Sequence, residues 1–357
     1  MTSTTSRLLL FLHTSGKSLE NVLPIGHMPI FPFYTTVSRL TYKPDAFNCK
    51  SIAEPFSEII SVKNHQLSFA DVCNNRSLEI RKLKGNIYIL WSGGIDSTCV
   101  IASILKNWSE QDLERATVLC NHYSVLENRQ FFAIISKKFK TKLSTHRYED
   151  YLKKGYVITG ELGDQLFGSD VVGECVKHWG DDVIHADWTD IAPKIFQVFS
   201  PNFGMATYNN YRGIIDEAPF KLKTVHDFFW WLNITQKWQH VKLRTLISSS
   251  WEDPKTYFPK LIHFYETVDF QVWSLHNQDK KIKSTWDSYK YTAKNYIVDY
   301  TRDEKFHTKL KLPSLRNLHN ATEFKWAIDE DWKYLTREES LLRLRDTNDY
   351  RPNNNTL

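Results

Sequence analysis

Two short segments of this sequence carry residue types suited to handling a phosphorylated substrate. The first is Ser92-Gly93-Gly94-Ile95-Asp96-Ser97. A pyrophosphate group calls for concentrated positive potential without bulk, and consecutive backbone N–H groups in a glycine turn, aimed by a helix N-terminus, supply it. Gly93 and Gly94 let the backbone close in on phosphates because no Cβ obstructs the approach. Ser92 and Ser97 can donate hydroxyl hydrogen bonds to phosphate oxygens. Asp96 would be repelled by phosphate unless a cation stood between them, so its natural role is to hold Mg²⁺. By itself the string is also a turn ending in a helix cap, a role open to Asp96 or Ser97. The second segment is Gly160-Glu161-Leu162-Gly163-Asp164-Gln165-Leu166-Phe167-Gly168, which sets two carboxylates among glycines.

The elements around these segments decide between the readings. Asn86 to Trp91 is a nearly continuous apolar run, as expected of a strand buried on both faces of a parallel sheet. After the glycine loop, Val100, Ile101, Ile104, Leu105 and Trp108 fall at helical spacing within Ser97 to Trp108. Ala116 to Cys120 predicts a second strand, Glu127 to Phe139 a second helix, and Tyr156 to Thr159 a strand running into Gly160. This strand–loop–helix setting favours a phosphate loop at Ser92 to Ser97. The repeated alternation predicts an α/β protein built on a doubly wound parallel sheet. A small N-terminal unit, residues 1–84, reads as strand-rich or irregular, with Pro24, Pro29, Pro32, Pro44 and Pro55 ruling out long helices before about Glu54. Residues 85–317 form the main domain, whose later part is helical and rich in Trp, Tyr and Phe. Phe228 to Leu246 and Trp286 to Tyr300 read as buried amphipathic helices there. Residues 318–357 read as a helical extension with a disordered tail.

Taken together, the two segments resemble the asparagine synthetase family, whose synthetase domains pair Ser-Gly-Gly-x-Asp-Ser with Gly-Glu-Gly-x-Asp-Glu-Leu-Phe-Gly. β-Lactam synthetases and lasso-peptide cyclases share that domain. Phe264-Tyr265-Glu266 followed by Asp269-Phe270 looks like the family's Pro-Phe-Leu-Asp segment, and Lys290 with Lys294 looks like its Lys-x-x-x-Arg helix. The resemblance implies an adenine nucleotide α-hydrolase-like fold with a helical C-terminal part. It implies that ATP is split between the α- and β-phosphates, that Asp96 and Asp164 share Mg²⁺, and that Ser92, Gly93, Gly94, Asp96 and Ser97 cradle the phosphates. Glu161 would face the acyl-adenylate, Lys290 would neutralise charge on the α-phosphate and departing pyrophosphate, Lys294 would be among the nucleotide-binding residues, and Gly160, Leu119 and Cys120 would surround the AMP moiety. The expected reaction is amide formation between a small-molecule or peptide carboxylate and an amine or ammonia.

The sequence departs from the family pattern at several points. Leu162 stands for a glycine, Gly163 for a small residue, Gln165 for an acid and Lys294 for an arginine, and the stretch between the two motifs is short. Glutamine-dependent members begin with a catalytic cysteine, whereas residue 2 here is Thr2 and the first cysteine is Cys49. Glutamine hydrolysis by this chain is therefore not expected, and nitrogen would come from free ammonia, an amine or a separate glutaminase. Two rival readings use the same loop: adenylation of RNA or a nucleobase for thiolation or deazapurine synthesis, and a degenerate domain that binds AMP without turnover.

Bulk properties narrow the classes further. A net charge of +5 with dispersed basic residues gives no electrostatic case for nucleic acid. The five cysteines lack any Cys-x-x-Cys pair, which argues against a zinc ribbon or a disulfide framework and suits a reducing compartment. The apolar run at Leu8 to Leu12 is too short for a secretory signal and reads as a strand, and no stretch is long enough to span a membrane, so a cytoplasmic protein is expected. Gly16-Lys17-Ser18 lacks the upstream glycine of a Walker A loop, since Phe11 stands at that position.

Overall fold

A computed structural model describes residues 8–13, 39, 56–63, 66–143, 149–199, 204–238, 241, 254–309, 323–329 and 334–335. Its strands, in chain order, are β1 (Leu8–His13), β2 (Asn86–Leu90), β3 (Ala116–Cys120), β4 (Lys140–Leu143), β5 (Gly155–Thr159), β6 (Leu261–His263), β7 (Glu323–Asp329) and β8 (Tyr334–Leu335). Contacts divide the chain into two compact units that interleave along the sequence. One comprises residues 59–167 and 249–312, the other residues 1–58, 168–248 and 313–357. This division differs from the linear one expected at 84 and 317.

The first unit is an all-parallel five-stranded sheet, ordered β4-β3-β2-β5-β6, flanked by helices. From β2 the chain adds strands on one side through β3 and β4, then returns to add β5 and β6 on the other. The order therefore reverses between β2 and β5, the kind of point beyond whose strand carboxyl ends open α/β sheets bind ligands. β2 alternates rather than being buried throughout: Ile87 and Ile89 are fully buried, while Tyr88 and Leu90 are only partly covered. Tyr88 meets the ring of Tyr151 on the other face, at 4.9 Å between centroids.

The helix Ile95–Asn107 follows β2 and packs against two others, Phe69–Arg81 and Tyr291–Thr301. Two buried serine hydroxyls fasten the first of these contacts. Ser77 donates to the Ser103 carbonyl at 3.1 Å, and Ser103 donates to the Cys73 carbonyl at 2.8 Å. Tyr296 Oη reaches from the third helix to Asn74 at 2.7 Å.

Several expectations are corrected. The leader, read as strand-rich or irregular, contains the thirteen-residue helix Phe69–Arg81. It starts at a reciprocal cap, with Ser68 Oγ accepting from Asp71 N and the Asp71 carboxylate accepting from Ser68 N, and it buries Phe69, Val72, Cys73 and Ile80. The stretch Trp286 to Tyr300 is not one helix, because Lys290 adopts a left-handed conformation that separates the 3₁₀ turn Trp286–Ser288 from Tyr291–Thr301. The C-terminal extension, expected to be helical, supplies β7 and β8. Phe324, Trp326 and Ile328 alternate with other residues at the strand period, and β7 pairs antiparallel with β1 from Leu8↔Asp329 to His13↔Glu323.

The second unit holds this three-stranded sheet, ordered β1-β7-β8, and several helices. Its helices bury aromatic residues together: Phe196 lies near Tyr208, Tyr211, Phe228 and Phe229, with centroids about 6 Å apart. The amphipathic segment expected from Phe228 begins earlier, as the helix Val225–Leu232, and continues through a π-turn at Asn233–Lys237. The tail expected to be disordered, and Cys49, lie outside the described residues. No helix among the described residues is long and apolar enough to cross a membrane.

Candidate active site

The segment Ser92 to Ser97 connects β2 to its helix, which Gly94 caps in extended conformation. Its serines organise the turn itself. Ser97 Oγ donates to the Gly94 carbonyl at 3.2 Å and accepts from Ser92 N at 3.1 Å. Ser92 Oγ accepts from Gly94 N at 3.3 Å and lies 3.0 Å from Ser97 Oγ, to which it therefore donates. Gly93 is required on two counts. Its φ is +82°, and a Cβ there would sit 2.5 Å from the Ser124 carbonyl oxygen. The obstruction at Gly93 is thus the protein's own backbone. At Gly94 an added Cβ would meet only the Ser92 hydroxyl, at 3.3 Å, and the Glu127 carboxylate, at 3.7 Å. Of the two glycines, Gly94 is the more open to an incoming group.

The second segment leaves the end of β5, the neighbour of β2, and is pressed against the first. A Cβ on Gly160 would stand 2.7 Å from Ser97 N, and one on Gly163 would stand 2.4 Å from Asp96 Oδ1. Only glycine at both positions lets the two turns meet this closely. Between them Leu162, buried, has φ +73°. A left-handed leucine costs about 1–2 kcal/mol relative to a relaxed backbone. The turn takes a conformation that glycine adopts freely, although a leucine occupies it. Gly163 starts the short helix Gly163–Phe167, which carries Asp164 in its first turn.

Asp96 and Asp164 converge on one cation. The Lys290 ammonium is hydrogen-bonded to Asp96 Oδ2 and lies 2.7 Å from Asp164 Oδ1. Lys290 is fully buried, while the two carboxylates keep 19% and 21% of their side-chain surface exposed. The carboxylates therefore face solvent and the lysine comes from behind them. Its backbone is held by a hydrogen bond from Lys290 N to the Lys281 carbonyl at 2.8 Å, and φ +62° turns it into the site. Tyr289 Oη donates to Asp164 Oδ1 at 3.4 Å, and Tyr265 Oη donates to the Asp96 carbonyl at 3.0 Å.

The other expected residues take varied places. Glu161 is half-buried and its N–H donates to Thr159 Oγ1 at 3.2 Å; that hydroxyl is 2.6 Å from His263 Nδ1 on β6. Leu119 and Cys120 end β3, where the Leu119 carbonyl accepts from Trp91 N at 2.9 Å and burial pushes the Cys120 thiol up. Lys294 does not join the aspartates: its buried ammonium donates to the Asp287 carbonyl. Its pKa is lowered to about 8, by burial above all, with Asp287 favouring the charged form and Lys290 opposing it.

Sequence reasoning overlooked Tyr289, Lys281 and Lys309, the last of which donates from Nζ to the carbonyls of Gly93 and Glu127, both at 3.2 Å. Tyr289 adjoins Lys290 and could have been found from it; the lysines carry no signal of their own. Among the described residues no cluster of three or more His, Cys, Asp or Glu is placed to hold a metal. The donor set is nevertheless of the kind that Mg²⁺ takes with a nucleotide, since Mg²⁺ commonly uses one or two carboxylates and completes its shell with phosphate oxygens and water. No known protein family matches this chain, and a search among curated proteins finds no match either.

Proposed function

We propose that this protein is an ATP-dependent ligase that adenylates a carboxylate and transfers the acyl group to an amine or ammonia, on a doubly wound, adenine nucleotide α-hydrolase-like sheet of asparagine synthetase type. The observation that carries the reading is the meeting of Asp96 and Asp164, from the ends of adjacent parallel strands, on a single cation position at the point where the strand order reverses. A glycine turn leading into a helix N-terminus stands beside them, as a pyrophosphate requires.

The substrate carboxylate attacks the α-phosphorus, the bond to the bridging oxygen breaks, and pyrophosphate leaves. The amine then adds to the acyl carbon, AMP departs, and the surplus amine proton passes to a base. Glu161 is the residue proposed to accept it. The backbone N–H groups of the loop orient the leaving pyrophosphate, and Lys290 offsets its developing charge. Asp96 and Asp164 would hold Mg²⁺, which supplies further neutralisation of the polyphosphate when bound. Glutamine hydrolysis is no part of this proposal.

A second reading, nucleotide binding without turnover, is favoured by one observation: Lys290 already neutralises the two carboxylates. Incubation with MgATP and a panel of amino acids and amines separates the two. The ligase yields AMP, pyrophosphate and a product of amide mass, and Asp96→Asn and Asp164→Asn each lose that activity while remaining folded. ADP and orthophosphate as primary products would exclude the ligase mechanism, and nucleotide binding with no product at all would select the binder.

A further inference from the structure

The peptide that joins Gly93 to Gly94 is gripped by a cation 216 residues further along the chain. The Lys309 ammonium donates to the Gly93 carbonyl and to the Glu127 carbonyl, both at 3.2 Å. Glu127 ends the helix His122–Glu127, whose last carbonyls have no partner within the helix. The same helix abuts the glycine turn, since its Ser124 carbonyl stands where a Gly93 Cβ would be. Lys309 therefore ties the turn to the helix beside it. Its own backbone is anchored: Lys309 N donates to the Phe306 carbonyl at 3.2 Å, and buried Phe306 meets the Phe131 ring at 6.3 Å between centroids.

Covalent geometry turns this grip into an orientation. A peptide unit is planar, and this one is trans, so its C=O and N–H point in opposite directions. Holding the Gly93 carbonyl toward Lys309 thus aims the Gly94 N–H away from it, on the side of the Ser92 hydroxyl, which accepts from it at 3.3 Å. Gly94 is also the glycine with room around it. Between two glycines no Cβ opposes a rotation of the peptide plane, so the orientation has to come from hydrogen bonds. An ammonium on the carbonyl also polarises the peptide, which strengthens its N–H as a donor. The Glu127 carboxylate would lie 3.7 Å from a Cβ at Gly94, and it favours the charged form of Lys309 against the lowering effect of burial. The ammonium in turn offsets that negative charge beside the turn.

We propose that Lys309 is a positioning residue, which orients the Gly94 N–H toward a pyrophosphate oxygen by holding the Gly93 carbonyl on the opposite side. The inference rests on the ligase reading, in which pyrophosphate lies at this turn, and adds to it a residue outside both motifs.

The sequence contains a single Gly-Gly pair, so glycine carrying ¹³C at its carbonyl and ¹⁵N at its amide gives one carbonyl-to-amide NMR correlation, that of Gly93 and Gly94. In the wild-type full chain, inorganic pyrophosphate with Mg²⁺ should move the Gly94 amide proton downfield. Lys309→Met should move the Gly93 carbonyl upfield and weaken pyrophosphate binding, measured by calorimetry, by about tenfold, as expected for a lost hydrogen bond to a charged group. AMP, which lacks the pyrophosphate, should bind both proteins equally. Lys309→Arg keeps the charge and enough donors for both carbonyls, and should recover the carbonyl shift and the affinity together. Pyrophosphate binding that leaves the wild-type Gly94 amide unmoved, or that is equally tight in Lys309→Met, overturns the proposal and leaves the ligase reading standing. Equal losses for AMP and pyrophosphate would mark a merely structural lysine, and affinity recovered in Lys309→Arg without the carbonyl shift would mark an effect of charge alone; both overturn it. A wild-type chain that binds neither pyrophosphate nor AMP defeats the ligase reading, and the proposal with it.

Discussion

Replacing Lys290 by methionine isolates the electrostatics of the carboxylate pair. Both side chains carry the same Cβ, so the cost of the left-handed backbone at φ +62° cancels between them. What changes is the ammonium that both carboxylates touch. Oxygens sharing one ammonium lie within about 5 Å of each other, and two unit charges at that separation repel by about 3 kcal/mol at an effective dielectric near 20. Each carboxylate is about one-fifth exposed, so water screens part of this. A loss of about 2 kcal/mol in unfolding free energy at pH 7 is the expected outcome, measured by urea denaturation. Two further readouts give the effect its signature. Acidification that protonates one carboxylate should narrow the gap to wild type, and Mg²⁺ should stabilise the variant more than wild type, because the cation no longer competes with an ammonium for the same oxygens. A variant as stable as wild type, or one indifferent to Mg²⁺, would refute the reasoning that Asp96 and Asp164 form a divalent-cation site.

Two other outcomes follow from the same region. At Leu162 the usual order of substitutions should invert: Leu162→Ala forfeits buried packing worth about 2–5 kcal/mol and keeps the left-handed strain, whereas Leu162→Gly forfeits the packing but relaxes the backbone, so the glycine variant should be the more stable of the two by about 1 kcal/mol. Urea midpoints showing alanine above glycine would contradict the assigned φ. Lys294, with its pKa lowered to about 8, sheds its proton in the folded chain while the unfolded chain holds one up to about 10.5, so folding stability should rise with pH across that window. Lys294→Met should flatten the rise between pH 8 and 10, and a wild-type profile already flat there would remove the basis for the shift.

Besides β1, read from the apolar run at Leu8 to Leu12, the strands that were legible in the sequence are those in the middle of the parallel sheet. β2, β3 and β5 are apolar runs closed by turn residues, and burial in a parallel sheet demands that pattern. The edge strands of the parallel sheet, β4 and β6, carry no such mark. Lys140-Thr141-Lys142-Leu143 is half charged and Leu261-Ile262-His263 is only three residues long; each is a strand because a neighbour offers it hydrogen bonds. The helix Phe69–Arg81 escaped notice because polar residues dilute its apolar face and its cap uses aspartate where a glutamate would have been recognised.

For the candidate site, the sequence exposes the two turns but not the reason they meet. Gly160 and Gly163 read as ordinary turn residues until Ser97 and Asp96 are seen to stand where their Cβ atoms would be. Lys290 is 194 residues from Asp96 in the chain, so its partnership follows from the packing of Tyr291–Thr301 on Ile95–Asn107 and from no local pattern. Leu162 shows how a departure from a motif should be weighed. Read as letters, leucine for glycine suggests that the turn is lost; the geometry shows a positive φ at Leu162 with its side chain buried. The next two positions are Gly163, packed so closely on Asp96 that a Cβ would clash, and Asp164, paired with Lys290, so relaxing the leucine would disturb both contacts. A site whose backbone is held against that cost is one in which the position of Asp164 matters more than the comfort of the residue before it.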